Sequence, residues 1–128
     1  SIDIGTCIKF DFLTADAVYK GGSISPGVQL RYKALNDYTN NLPLLKQINH
    51  TPLIGNDTNN SIASGVLNGM NSEITGMISR YEAEYGPLNI YLTGGDALHF
   101  DIAQKNNIFA VKNLTILGAV EIYKLNAL

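Results

Sequence analysis

One cysteine, Cys7, is present in 128 residues, which rules out an internal disulfide and suits a reducing compartment. Neither sign of charge is in excess: nine Lys and Arg against eleven Asp and Glu leave a net charge of −2. The basic residues are scattered without a run, so there is no electrostatic footprint for nucleic acid or for an anionic membrane surface. No apolar stretch approaches the ~20 residues that a membrane span needs. No secretory signal pattern opens the chain, and the expected compartment is the cytoplasm. Internal repeats, low-complexity tracts and linker-like stretches are missing too. What is there, 45% hydrophobic and 16% charged, is the composition of one globular domain with its own core. Four Asn-x-Ser/Thr triplets, at Asn49, Asn56, Asn59 and Asn113, read as chance matches in an Asn-rich chain.

The chemistry is concentrated in the opening turn, Ile2-Asp3-Ile4-Gly5-Thr6. Gly5 lets the backbone turn sharply and approach a ligand closely. Thr6 offers a hydroxyl and a backbone N–H to phosphate oxygens. Asp3 is suited to holding a cation near negative charge, or to capping a nearby N–H in the turn. The chain enters at Ser1-Ile2 in mid-strand, without a preceding turn or cap, and is read as the C-terminal part of a longer protein.

Alternation of Ile8, Phe10 and Phe12 with Lys9 and Asp11 predicts a second strand over Cys7 to Thr14. After a turn at Ala15-Asp16, Ala17 to Ile24 reads as a third, so the chain opens as an antiparallel meander. Gly21-Gly22 predicts a bulge or a close backbone approach. Val28 to Tyr38 has the spacing of a helix, and Thr39 to Asn60 is a long polar connection. A long core helix follows, with Asn60 or Ser61 as its cap and Gly86-Pro87 as its stop. Gly65, Gly69 and Gly76 within it predict close packing of another element. Asn89 to Thr93 reads as a buried strand running into Gly94-Gly95-Asp96, with a helix from Ala97 to Gln104 that Asp96 could cap. A short strand at Phe109 to Val111 and a closing helix from Leu114 to Leu125, with Gly118 at a contact, complete the pattern. The class is α/β with a mixed sheet and helices packed on it. His50 and His99 lie far apart without ligand-spaced partners and read as surface residues. Asp11 reads as a solvated sheet residue, and Cys7 as a small buried hydrophobe.

Five segments carry a resemblance: Asp3-Ile4-Gly5-Thr6, the stretch from Gly21 to Gly27, Leu42-Pro43, Gly55-Asn56-Asp57-Thr58 and Leu92-Thr93-Gly94-Gly95-Asp96. In order and spacing they resemble the C-terminal half of type III pantothenate kinase, over nearly the whole chain. The resemblance implies a ribonuclease H-like, actin-like ATPase fold, with residues 1–128 as the C-terminal ATPase-like domain of a two-domain kinase. It implies phosphorylation of pantothenate by ATP with Mg2+, the first committed step toward coenzyme A, dependent on K+ or NH4+, in a homodimer. By the same carry-over Asp3 matches the monovalent-cation ligand, and Thr6, beside Gly5, the residue on ATP phosphate. Gly94 and Gly95 resemble the adenosine-side turn, and Thr58, also an ordinary helix-start residue, matches a pantothenate contact.

The family's Asp-Gly-Asn-type phosphate loop and its Gly-x-Asp-Arg motif, whose Asp is the general base, do not occur in this chain. The resemblance therefore implies no catalytic base here, and an inactive fragment when alone. Two other readings stand beside it. One is a binding or regulatory module of the same fold without catalysis. The other is a kinase for a sugar or acetate, against which the Gly55-to-Thr58 segment speaks.

Overall fold

A computed structural model describes residues 1–46, 50–100, 102 and 107–127. Its core is a five-stranded sheet in the order β3-β2-β1-β4-β5. Strand β1 (Ile2–Ile4) turns through Gly5-Thr6 into β2 (Cys7–Leu13), which pairs antiparallel with β3 (Tyr19–Pro26). Strands β4 (Ile90–Thr93) and β5 (Ile108–Ala110) extend the sheet in parallel beyond β1. The expected meander and mixed sheet are both present. The third strand is shifted two residues later than expected, because Ala17 takes a left-handed conformation (φ 62°) in the turn that precedes it.

The Gly21-Gly22 expectation holds in both forms. Register shifts opposite Gly21, between Phe12 and Leu13. A Cβ on Gly22 would lie 1.6 Å from the Phe10 carbonyl oxygen, so β2 and β3 approach there as only glycine permits.

Alternation sends Ile2, Ile4, Ile8 and Phe10 to one side, where they join Ile90 and Leu92 in the core. Helix α1 (Val28–Asp37) adds Val28 and Tyr32 to that core, and α2 (Thr58–Tyr85) adds Ile62, Val66, Leu67, Met70, Ile74 and Ile78. The α2 positions recur at three and four residues, one stripe of a 3.6-residue period.

Several local expectations are corrected. The cap of α2 is Asp57, not Asn60 or Ser61: its carboxylate accepts the Asn60 N–H at 2.8 Å, so the helix starts at Thr58. Gly65, Gly69 and Gly76 pack against nothing, since a Cβ at each would meet open space. Gly118 likewise makes no contact. The helix expected from Ala97 is a single 3₁₀ turn, Ala97–His99, and Asp96 makes no side-chain cap to it. The rest of that expected helix lies largely outside the described residues. Helix α3 (Leu114–Asn126) forms as expected but buries none of its residues. Cys7 is half-buried rather than fully enclosed. His50 and His99 are exposed, as expected.

Candidate functional site

Parallel pairing of β1 with β4 sets Ile2 beside Leu92 and Asp3 beside Thr93, so both strands end at one edge of the sheet. The two turns that follow, Gly5-Thr6 and Gly94-Gly95, are therefore neighbours. The carboxyl ends of adjacent parallel strands are where open α/β sheets receive ligands. The Asp96 N–H donates to the Ile4 carbonyl at 2.9 Å, tying the second turn to the first. Gly94 makes this fit possible. It has φ 102°, and a Cβ there would fall 2.2 Å from the Ile4 oxygen and 2.6 Å from Asp3 Oδ1. Gly95 faces open space and is exposed.

A third segment converges on the same place. Gly27, the N-cap of α1, donates its N–H to the Thr6 carbonyl at 2.9 Å. A Cβ on Gly27 would collide with the Gly5 carbonyl at 2.0 Å. No side chain caps the start of α1, and no acidic residue occupies its first turn. Its partial positive end thus stands against the Gly5-Thr6 turn. Thr6 is exposed and Gly5 half-buried. A hydroxyl, backbone turns and a helix start are the donor set that suits phosphate oxygens.

Asp3 points to the sheet face opposite Ile2 and Ile4, and it is not free. The hairpin register sets it directly across from Lys9, whose Nζ lies 3.0 Å from Asp3 Oδ2. Hydrogen bonding to Asp3 and then its charge hold the Lys9 ammonium above the usual lysine range. Among the described residues there is no cluster of three His, Cys, Asp or Glu side chains able to cage a metal. Asp11, two residues along β2, is exposed and accepts the Tyr19 hydroxyl at 2.7 Å.

Thr58 stands apart from this edge, at the first position of α2. It lines an open groove of about 820 Å³ with Asn56, Asp57, Ser61, Ile62 and Arg31. Gly55 closes that loop onto α2, where a Cβ would sit 2.2 Å from the Ser61 nitrogen. Helix α1 joins the two regions, since Gly27 backs the Thr6 turn and Arg31, one turn on, reaches the groove. Arg31 is fixed by Glu73 and by the Pro26 carbonyl at 2.8 Å, and Ser25 donates to the same Glu73. A second hollow, about 640 Å³, opens at the opposite end of β1 and β4 among Phe12, Tyr81, Tyr85 and Ile90. It holds none of the sequence-predicted site residues.

Sequence reasoning missed Gly27, Lys9 and Arg31 as parts of this region. Lys9 was not legible, because only the observed register, Ile4 opposite Ile8 with three residues between them, sets residue 3 opposite residue 9. Gly27 was not legible either, since it meets Thr6 through the β2–β3 register that pairs Cys7 with Pro26, and Arg31 comes in on the helix that starts there.

Fold and site together define an α/β domain with a phosphate-suited edge at the ends of two parallel strands. A sequence profile of type III pantothenate kinase matches residues 1–80. The chain is 46% identical to a type III pantothenate kinase of Cytophaga hutchinsonii, over 97% of this chain and 53% of the relative. It is 44% identical to that of Christiangramia forsetii, over 98% of this chain and 51% of the relative. It belongs to the type III pantothenate kinase family, and it spans about half the length of the curated relatives it matches. A crystal structure of a conserved protein from Campylobacter jejuni, described as a Baf family transcriptional activator, superposes with a TM-score of 0.67. That match covers 98% of this chain and 57% of the other at 23% identity, and it bears on the fold alone.

Proposed function

We propose that this chain supplies the C-terminal half of the active site of a kinase that phosphorylates pantothenate with ATP. In this reading residues 1–128 are the C-terminal ATPase-like domain of a two-domain, actin-like enzyme. The observation that carries it is the convergence of Gly5-Thr6, Gly27 and Gly94-Gly95 at one sheet edge, in a chain of this family.

Phosphoryl transfer is mostly a matter of positioning and charge stabilisation. The pantothenate hydroxyl oxygen attacks the γ-phosphorus of ATP, the bond to the β-phosphate oxygen breaks, and ADP leaves. The hydroxyl proton passes to a carboxylate base. Thr6 donates to the phosphate oxygens, with Gly5 and Gly27 letting the backbone stand close. Gly94 and Gly95 form the adenosine side, and the Thr58 hydroxyl meets pantothenate in its groove. Asp3 holds monovalent positive charge beside the phosphates. Mg2+ would be carried on the ATP phosphates, with water and one or two carboxylates completing its shell. The base and the phosphate loop come from the half of the enzyme outside these 128 residues, and the fragment alone is inactive. Two copies pair through the outward, glycine-marked face of α2, where Gly65, Gly69 and Gly76 leave room for close approach.

The test is pantothenate-dependent ADP release by the whole protein encoded by the gene, against a panel of sugars and acetate. Thr6→Ala is expected to lower kcat/KM for pantothenate by about tenfold or more, the loss of one phosphate contact in the transition state. Thr58→Ala is expected to raise KM for pantothenate and leave that for ATP unchanged. Turnover of a sugar or acetate in place of pantothenate overturns the substrate. A folded protein without turnover on any of them leaves a binding module of this fold.

A further inference from the structure

We propose that the Lys9 ammonium is the monovalent cation of this site, built into the chain in place of a dissociable potassium or ammonium ion. The inference rests on the kinase reading for its consequence, and on geometry for its content. Asp3 and Lys9 are direct cross-strand partners, and the pair is 3.0 Å apart. The register, with Ile4 opposite Ile8 and Gly5, Thr6 and Cys7 between them, belongs to the hairpin and not to a chance rotamer at a loop. The second Asp3 oxygen, Oδ1, is hemmed in by the Gly94 turn, where even a Cβ would fall 2.6 Å from it.

A potassium ion at Asp3 would therefore have to expel the ammonium or lie beside it. Two like charges sharing one carboxylate repel each other, and the tethered one does not diffuse away. The donor set left over is poor for a bare hard cation, which needs several oxygen ligands. Asp11 is turned to the Tyr19 hydroxyl, and no cluster of three His, Cys, Asp or Glu side chains exists among the described residues. As a stabilising contact a half-exposed pair contributes little. Its effect is on what Asp3 has left to bind. Lys9 supplies the same single positive charge, at the same carboxylate, in the hairpin whose turn faces the phosphates.

The experiment compares the whole protein with Lys9→Thr and Lys9→Met, in choline chloride or potassium chloride at equal ionic strength. Pantothenate phosphorylation by the unaltered protein is expected to differ less than about twofold between the salts. The Lys9 variants are expected to fall about tenfold in choline and to recover in potassium. A second readout is independent of turnover: melting temperature and thallium-205 NMR binding. Potassium and thallium are expected to act on the Lys9 variants and not on the unaltered protein, and Asp3→Asn combined with Lys9→Thr is expected to lose the response. An unaltered protein that needs potassium, or a Lys9 variant that keeps its full rate in choline, overturns the proposal. If no variant phosphorylates pantothenate in either salt, the kinase reading fails. The ion-binding readout then decides the site by itself: a response gained by the Lys9 variants supports the assignment, and identical behaviour of all proteins overturns it.

Discussion

Two kinds of glycine are distinguished by what a methyl group would meet. At Gly27 it would strike the Gly5 and Thr6 backbone, which cannot yield without moving the turn. Gly27→Ala is expected to cost about 1–3 kcal/mol in denaturant unfolding, the range of overpacking, and to weaken ATP binding. At Gly65 the methyl meets open space on an exposed helix face. Gly65→Ala is expected to add about 0.5–1 kcal/mol in the isolated chain, by lowering the entropy of the unfolded state. Tyr32 poses a different problem. Its side chain is fully buried and its hydroxyl has no partner among the described residues. Burial pushes its pKa above the ordinary 10.0. A group whose folded pKa is raised contributes stability that is complete below the unfolded value and is lost as pH rises through the folded one. Alkaline titration is thus expected to destabilise the protein above pH 10, and Tyr32→Phe to blunt that loss in pH-dependent thermal melts.

Among the elements, α2 does the most positioning. Its Asp57 cap satisfies an otherwise orphaned N–H and sets where Thr58 stands. Asp57→Ala is expected to destabilise by about 0.5–2 kcal/mol and to raise KM for pantothenate, because the first turn that carries Thr58 frays. Further along, Glu73 receives Arg31 from α1 and Ser25 from β3. That tie fixes α1 against the sheet just beyond Gly27, whose own N–H holds it to the Thr6 carbonyl. Glu73→Gln removes the charge from a half-buried pair, and a loss of about 1–3 kcal/mol is expected by urea unfolding, typical of hydrogen bonds to charged groups. A smaller loss with an unchanged site would mean that Val28 and Tyr32 alone seat the helix.

For the molecule as a whole, the core ends at β5. Helix α3 exposes Ile116, Leu117, Val120, Ile122, Tyr123 and Leu125, and none of its residues is buried. Contiguous apolar surface of this kind promotes association. Deleting residues 114–128 is expected to change the unfolding free energy of the remainder by less than about 0.5 kcal/mol, the scale of surface changes. Self-association in sedimentation runs is expected to fall in parallel. A large loss of stability would show that α3 packs on the core in solution.

Local physics made much of this legible in advance. Alternation from Ile8 to Phe12, the glycine stop at Gly86 and the tight turn at Gly5 are short-range features, and each specifies its element without help from distant residues. They placed Asp3 on its strand and Gly5, Thr6, Gly94 and Gly95 in the turns that follow β1 and β4, whereas Thr58 starts α2 two residues before the expected cap. The tertiary structure decided the rest. That the Gly5 and Gly94 turns are neighbours follows from β1 and β4 pairing in parallel across some ninety residues of sequence. That Gly27 backs the Thr6 turn follows from the antiparallel register of β2 and β3, which sets Cys7 opposite Pro26. The helical glycines face outward because only the packed core stripe selects which side of α2 is inside. Asp3 shows the same division. The residue types identified a carboxylate at a phosphate-suited turn, and only the folded hairpin set an ammonium against it.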